Sequence, residues 1–83
     1  MINPDKEIDV SGMSCPIPLI RLSQSVSSLG GGKTLKIVGD DPVFERGVRD
    51  YCEINQLEII SVSPLAGRTV EIIIKKQNEN QHT

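Results

Sequence analysis

The 83-residue sequence has no tryptophan, and its aromatic side chains are Phe44 and Tyr51 alone. That inventory supplies no row of rings on which single-stranded bases would stack. There is no cluster of basic residues and the net charge is −2, which argues against direct nucleic-acid binding through a phosphate-neutralising surface. No apolar run approaches the roughly 20 residues needed to cross a bilayer, so no membrane partner is expected. The first residues, Met1-Ile2-Asn3-Pro4-Asp5-Lys6, do not follow the basic-then-apolar pattern of a secretion signal. The expected compartment is therefore the cytoplasm, where Cys15 and Cys52 stay reduced rather than bridged. A single histidine, His82, sits in a polar C-terminal stretch, which leaves no general base for a cysteine hydrolase. Two cysteines and one histidine also fall short of the usual four ligands of a structural metal site, so no metal is expected.

What is present is ordinary material for one small domain, with 37% apolar and 24% charged residues. Lys6 to Val10 alternates, with Ile8 and Val10 on one side, and predicts a first strand. Leu19, Leu22, Val26 and Leu29 recur at steps of three and four, a helical stripe running from Pro16 to Leu29. Gly30-Gly31-Gly32 is expected to stop that helix. Lys33 to Val38 alternates again, with Leu35 and Ile37 inward. Phe44, Val48 and Cys52, spaced by four, form the buried stripe of a second helix ending near Asn55, with Asp41 as its N-cap and Pro42 as its first helical residue. Leu57 to Val62 and Arg68 to Lys75 read as strands joined by the turn Pro64-Leu65-Ala66-Gly67, an antiparallel hairpin. The order β-α-β-α-β-β predicts an α/β (α+β) two-layer sandwich: a four-stranded mixed sheet with both helices on one face. Residues 1–5 are expected to form a flexible start, 6–75 the domain, and 76–83 a disordered polar tail.

In the stretch Gly12-Met13-Ser14-Cys15-Pro16-Ile17-Pro18, Cys15 reads either as a small buried hydrophobe or as a reactive thiol at a helix start, and the second reading is favoured. Cys15 has no place in the stripe that begins at Leu19. Pro16, without an N–H and with a near-helical φ, suits a first helical position, and Pro18 falls within the turn whose N–H groups lack intrahelical partners. Cys15 is thereby expected to be the N-cap, its sulfur facing the positive end of the helix dipole, which favours thiolate. The Ile17 N–H is the expected local partner of the sulfur. Met13, Ile17 and Ile20 lie off the main stripe beside this cysteine and read as either core spill-over or a small apolar docking patch for a partner. Asp40 and Asp41 read as turn and cap residues, with a part in partner selection second. Cys52, in the helical stripe, reads as an inert core thiol, with a resolving cysteine for Cys15 as the alternative.

A lone nucleophile without histidine, resolving cysteine or metal suits chemistry in which a partner brings the rest. Carrying sulfur as a cysteine persulfide is one such chemistry. A redox-sensing thiol and a non-catalytic regulatory or adaptor domain are the alternatives. The sequence also resembles the TusA (SirA-like) sulfur-carrier family. Asp9-Val10-Ser11-Gly12-Met13-Ser14-Cys15-Pro16-Ile17-Pro18 looks like the family's aspartate-containing strand, glycine and Cys-Pro-x-Pro helix start. Asp40-Asp41-Pro42 stands where the family often has the same tripeptide. The resemblance spans about residues 6–75 and implies the same β-α-β-α-β-β fold. It further implies a sulfurtransferase in which Cys15, with Gly12, Pro16 and Pro18 supporting it, accepts sulfane sulfur from a cysteine desulfurase or rhodanese. The sulfur then passes to an acceptor cysteine, often on a DsrE-like protein, with outlets in tRNA thiolation, molybdenum-cofactor synthesis or sulfur oxidation. No cofactor is implied beyond the transient persulfide on Cys15. Met13 replaces the family's more usual leucine, and Ile17 stands where many members carry glutamate.

Overall fold

The computed structural model describes residues 4–14 and 16–77. Four strands and two helices alternate as β1 (Lys6–Asp9), α1 (Ile17–Ser27), β2 (Thr34–Gly39), α2 (Phe44–Ile54), β3 (Glu58–Pro64) and β4 (Val70–Lys75). They form one mixed sheet in the order β1-β2-β4-β3. β1 and β2 are parallel, with Ile8 opposite Ile37, while β4 runs antiparallel to both β2 and β3. This is the four-stranded mixed sheet read from the sequence.

The period-two pattern decides which face is covered, because successive side chains in a strand point to opposite sides. Leu35 and Ile37 of β2 and Ile72 and Ile74 of β4 are buried in one cluster with Leu22 and Val26 of α1 and Phe44, Val48 and Cys52 of α2. Both helices therefore pack on one face of the sheet. The other face carries Glu7, Lys36 and Glu71 at the intervening register positions, and Ile73 is buried among them. The outer strands are poor templates for further pairing. β1 has only four residues, and β3 is interrupted by a register shift between Ile59 and Ser61 and ends on Pro64.

Helix boundaries follow hydrogen bonds more than residue propensity. α1 ends at Ser27, ahead of the three glycines. The Lys76 ammonium reaches back to donate to the carbonyls of Val26 and Leu29, at 3.0 and 2.8 Å, setting a positive charge at the negative end of the helix dipole beside the Leu29 N–H bond to Val26. α2 ends at Ile54 with Asn55 as its C-cap, and Gln56 follows in the left-handed region at φ 59°. The Leu57 N–H donates to the Cys52 carbonyl at 2.8 Å, the 6→1 bond of a Schellman motif made without glycine.

Both ends of the described chain are tied in. Asp5, counted with the loose start on its sequence, accepts from the Thr34 N–H at 2.9 Å. That bond is the main reason its carboxyl sits below the ordinary range. Lys76, counted with the polar tail, exchanges backbone bonds with Gly32 and Lys33 at 2.7 and 2.9 Å. The rest of the predicted start, residues 1–3, and of the predicted tail, residues 78–83, lies outside the described residues.

Candidate functional site

Three connections meet where the parallel strands β1 and β2 finish. They are residues 10–16 leading into α1, residues 40–43 leading into α2, and residues 65–69 of the β3–β4 hairpin. The hairpin belongs at this end because Val70 pairs with Gly39 at the end of β2. Between the three lies an open cleft of about 440 Å³, lined by residues 12–14, 40–42 and 66–69.

The first connection is fixed bond by bond. Val10 continues the strand, its N–H donating to the Val38 carbonyl at 2.7 Å. The Asp9 carboxylate accepts from the Ser11 N–H at 2.9 Å. The Ser11 side chain and then its backbone N–H hold that carboxyl below its usual range. The Met13 N–H donates to the Val10 carbonyl at 3.1 Å, closing a tight turn in which Gly12 takes φ 82°, a region open to glycine at little cost. The Gly12 N–H points across to the second connection and donates to the Asp40 carboxylate at 2.9 Å.

Beyond the gap in the described residues the chain is held again. The Ser14 carbonyl accepts from the Ile17 N–H at 3.0 Å, and the Pro16 carbonyl accepts from Leu19 and Ile20, both at 3.1 Å. These bonds overturn two expectations. The N-cap is Pro16, not Cys15, and the helix starts at Ile17, with Pro18 in its first turn. The reason is that Pro16 holds φ −93°, ψ 9°, non-helical, while its carbonyl already accepts the first i→i−4 bond. The Ile17 N–H, expected to face the sulfur, is donated to Ser14 instead. Cys15 itself lies outside the described residues.

The second connection differs from expectation in the same way. α2 begins at Phe44 with Val43 as its N-cap, not at Pro42 with Asp41. Asp41 forms the turn before the helix, its carboxylate accepting from the Val43 N–H at 3.1 Å and its carbonyl from the Phe44 N–H at 2.9 Å.

The other singled-out residues divide. Ile17 and Ile20 are 45% and 48% exposed on the first turns of α1. Met13 is half-buried and packs against the core, so it belongs to the fold more than to an outer patch. Pro18 is buried and Gly12 and Pro16 are exposed. Sequence reasoning missed that Val43, at the entry to α2, and Leu65, in the hairpin, are also exposed apolar side chains at this end. It missed Arg68 in the cleft wall as well. None of these three carries a local signal, because only the sheet order brings the hairpin to the site. The Asp40–Gly12 bond joins residues 28 positions apart and is equally invisible in the local pattern.

Cys52 is 2% exposed at the centre of the core, and burial pushes its thiol up to about 11. Among the described residues no three metal-ligating side chains gather, and no helix is long and apolar enough to cross a membrane.

Comparison with known proteins bears on this site. The family model described as "Sulfurtransferase TusA" matches residues 6–76. A "Putative sulfur carrier protein" of Aquifex aeolicus (strain VF5) is 31% identical over 78 residues, covering 94% of this chain and 39% of that protein. The chain thus spans about two fifths of the Aquifex protein's length. The "Sulfur carrier protein TusA" of Pseudomonas putida (strain GB-1) is 33% identical over 73 residues, covering 88% of this chain and 91% of the other. A crystal structure of a SirA-like protein from Desulfitobacterium hafniense superposes with a TM-score of 0.78 at 22% identity, over 88% of this chain and 99% of that one. That last likeness is one of fold.

Proposed function

The chain belongs to the sulfurtransferase TusA family, and on that premise we propose that it relays sulfur between proteins as a persulfide on Cys15. The observation that carries this reading is the fate of the other thiol. The sequence has two cysteines. Cys52 is sealed in the core with its acidity suppressed, and a thiol, not a thiolate, is a poor nucleophile. Cys15 is left as the group for nucleophilic chemistry. In sequence it lies between Ser14, whose carbonyl accepts from the Ile17 N–H, and Pro16, whose carbonyl accepts from Leu19 and Ile20.

In the loading step the Cys15 thiolate attacks the terminal sulfur of a donor protein's cysteine persulfide. One S–S bond forms and one breaks, the donor cysteine leaves as a thiolate, and no electrons are gained or lost overall. Delivery repeats the exchange with the acceptor's thiolate as the attacking group. Both steps suit a site without its own base, since each partner arrives with the reactive sulfur. A cysteine desulfurase or rhodanese as donor and a DsrE-like protein as acceptor fit this chemistry. Ile17 and Ile20, exposed within five residues of Cys15 in sequence, supply an apolar contact for such partners.

The test is intact-mass measurement after incubation with polysulfide, or with a cysteine desulfurase and cysteine. The expected result is a reductant-reversible gain of one sulfur atom, lost in Cys15→Ser and kept in Cys52→Ser. Absence of Cys15-dependent loading with every donor overturns the proposal.

A further inference from the structure

Asp40 is exposed enough to be taken for a turn residue, yet its carboxylate is the one side chain from another connection that reaches the Gly12 backbone among the described residues. Among the described residues, every other hydrogen bond holding residues 11–14 comes from within residues 9–17: Ser11 to Asp9, Met13 to Val10, Ile17 to Ser14. Those local bonds set the shape of the loop. They do not set where the loop stands relative to the rest of the cleft. Val10, bonded to Val38, and Met13, packed against the core, seat the base of the loop on the sheet; among the described residues the 2.9 Å bond from Gly12 to Asp40 is the hydrogen bond that ties the turn before α1 to the turn before α2.

The bond lies close to the nucleophile in sequence. Gly12 is three residues ahead of Cys15. With φ at 82° and nothing within 4 Å of where a Cβ would be, packing does not hold it in place. A charge-assisted bond to its backbone N–H is then what restrains the Gly12 peptide itself, beside Met13, which is held by the core and by Val10. We propose that Asp40 is a positioning residue for Cys15, acting through the Gly12 N–H to fix the direction in which the cysteine loop faces an incoming partner. The proposal rests on the sulfur-relay reading for its purpose but not for its geometry. Misplacing a reacting group by about 1 Å can cost on the order of a hundredfold in rate, so one anchor at this point is enough to matter.

Two substitutions separate the hydrogen bond from the charge. Asp40→Asn keeps an acceptor oxygen and removes the charge, whereas Asp40→Ala removes both. Three quantities are read on wild type and both variants: exchange of the Gly12 amide proton by NMR, the rate of Cys15 alkylation by iodoacetamide, and the rate of sulfur delivery to an acceptor thiol. Asp40→Ala is expected to speed Gly12 exchange roughly fivefold, the equivalent of one net hydrogen bond. It is also expected to slow delivery about tenfold, while Asp40→Asn stays within about threefold of wild type on both. The melting temperature identifies any variant that is simply unfolded. A Gly12 amide in wild type that exchanges as fast as in an unfolded peptide overturns the proposal without any variant. So does equal slowing by both substitutions, which assigns the effect to charge, or slowing by neither. Should wild type take up no sulfur at all, the relay reading fails. Gly12 exchange and Cys15 alkylation, neither of which involves sulfur transfer, then decide the positioning role by themselves.

Discussion

The two parallel strands end on glycine-containing turns that feed helices, and the two turns are held by opposite means. After β2, Gly39 is buried, and a Cβ built on it would lie 2.7 Å from the Phe44 ring. That junction is locked from inside by packing. After β1, Gly12 is exposed, has open space where a Cβ would go, and is held by its φ and by hydrogen bonds. That junction is locked from outside. The difference separates the work of the two turns. The second can anchor the core and lend Asp40, while the first displays its residues with little cost to the fold.

The comparison can be broken at several points. The largest effect is expected from Gly39→Ala, which forces the fully buried Phe44 ring to move. Overpacking of this kind costs about 3 kcal/mol, read as a lower denaturant midpoint with an unchanged slope. Next comes the core that the second turn anchors. The Cys52 thiol titrates higher folded than unfolded, so the folded state binds more protons as pH climbs past the unfolded value. Stability present below about pH 9 should fall by roughly 2 kcal/mol toward pH 11. Cys52→Ala should remove that alkaline slope, measured as midpoint against pH. The smallest effect is expected from Gly12→Ala, about 1 kcal/mol, because only the left-handed conformation and no contact opposes the methyl group. If Gly12→Ala proves as damaging as Gly39→Ala, the two junctions are not held by different means.

Much of the fold could be read directly. The stripe Phe44, Val48, Cys52 is buried as its spacing requires, and alternation in β2 and β4 picked out the covered face. What failed was the start of each helix. Pro16 and Pro42 mark where a helix is sterically allowed to begin, but the first i→i−4 bond decides where it does begin. In both cases a turn intervenes, closed by Ser14 or by Asp41. The site was legible as a stretch of sequence and not as a place in space. The cysteine loop stood out through its prolines, whereas Asp40, Val43, Leu65 and Arg68 join it only through strand order and a bond across 28 positions.

The clasp of Lys76 on the end of α1 has a consequence in time. Its acceptors lie 50 and 47 residues earlier, and the central strand β2 gains its second neighbour only when β4 arrives. During synthesis the first helix is made early and completed last. The segment bearing Cys15 leaves the ribosome well before the strand that secures the far end of its helix, so the cleft between the three connections can close only once β4 and Lys76 have emerged.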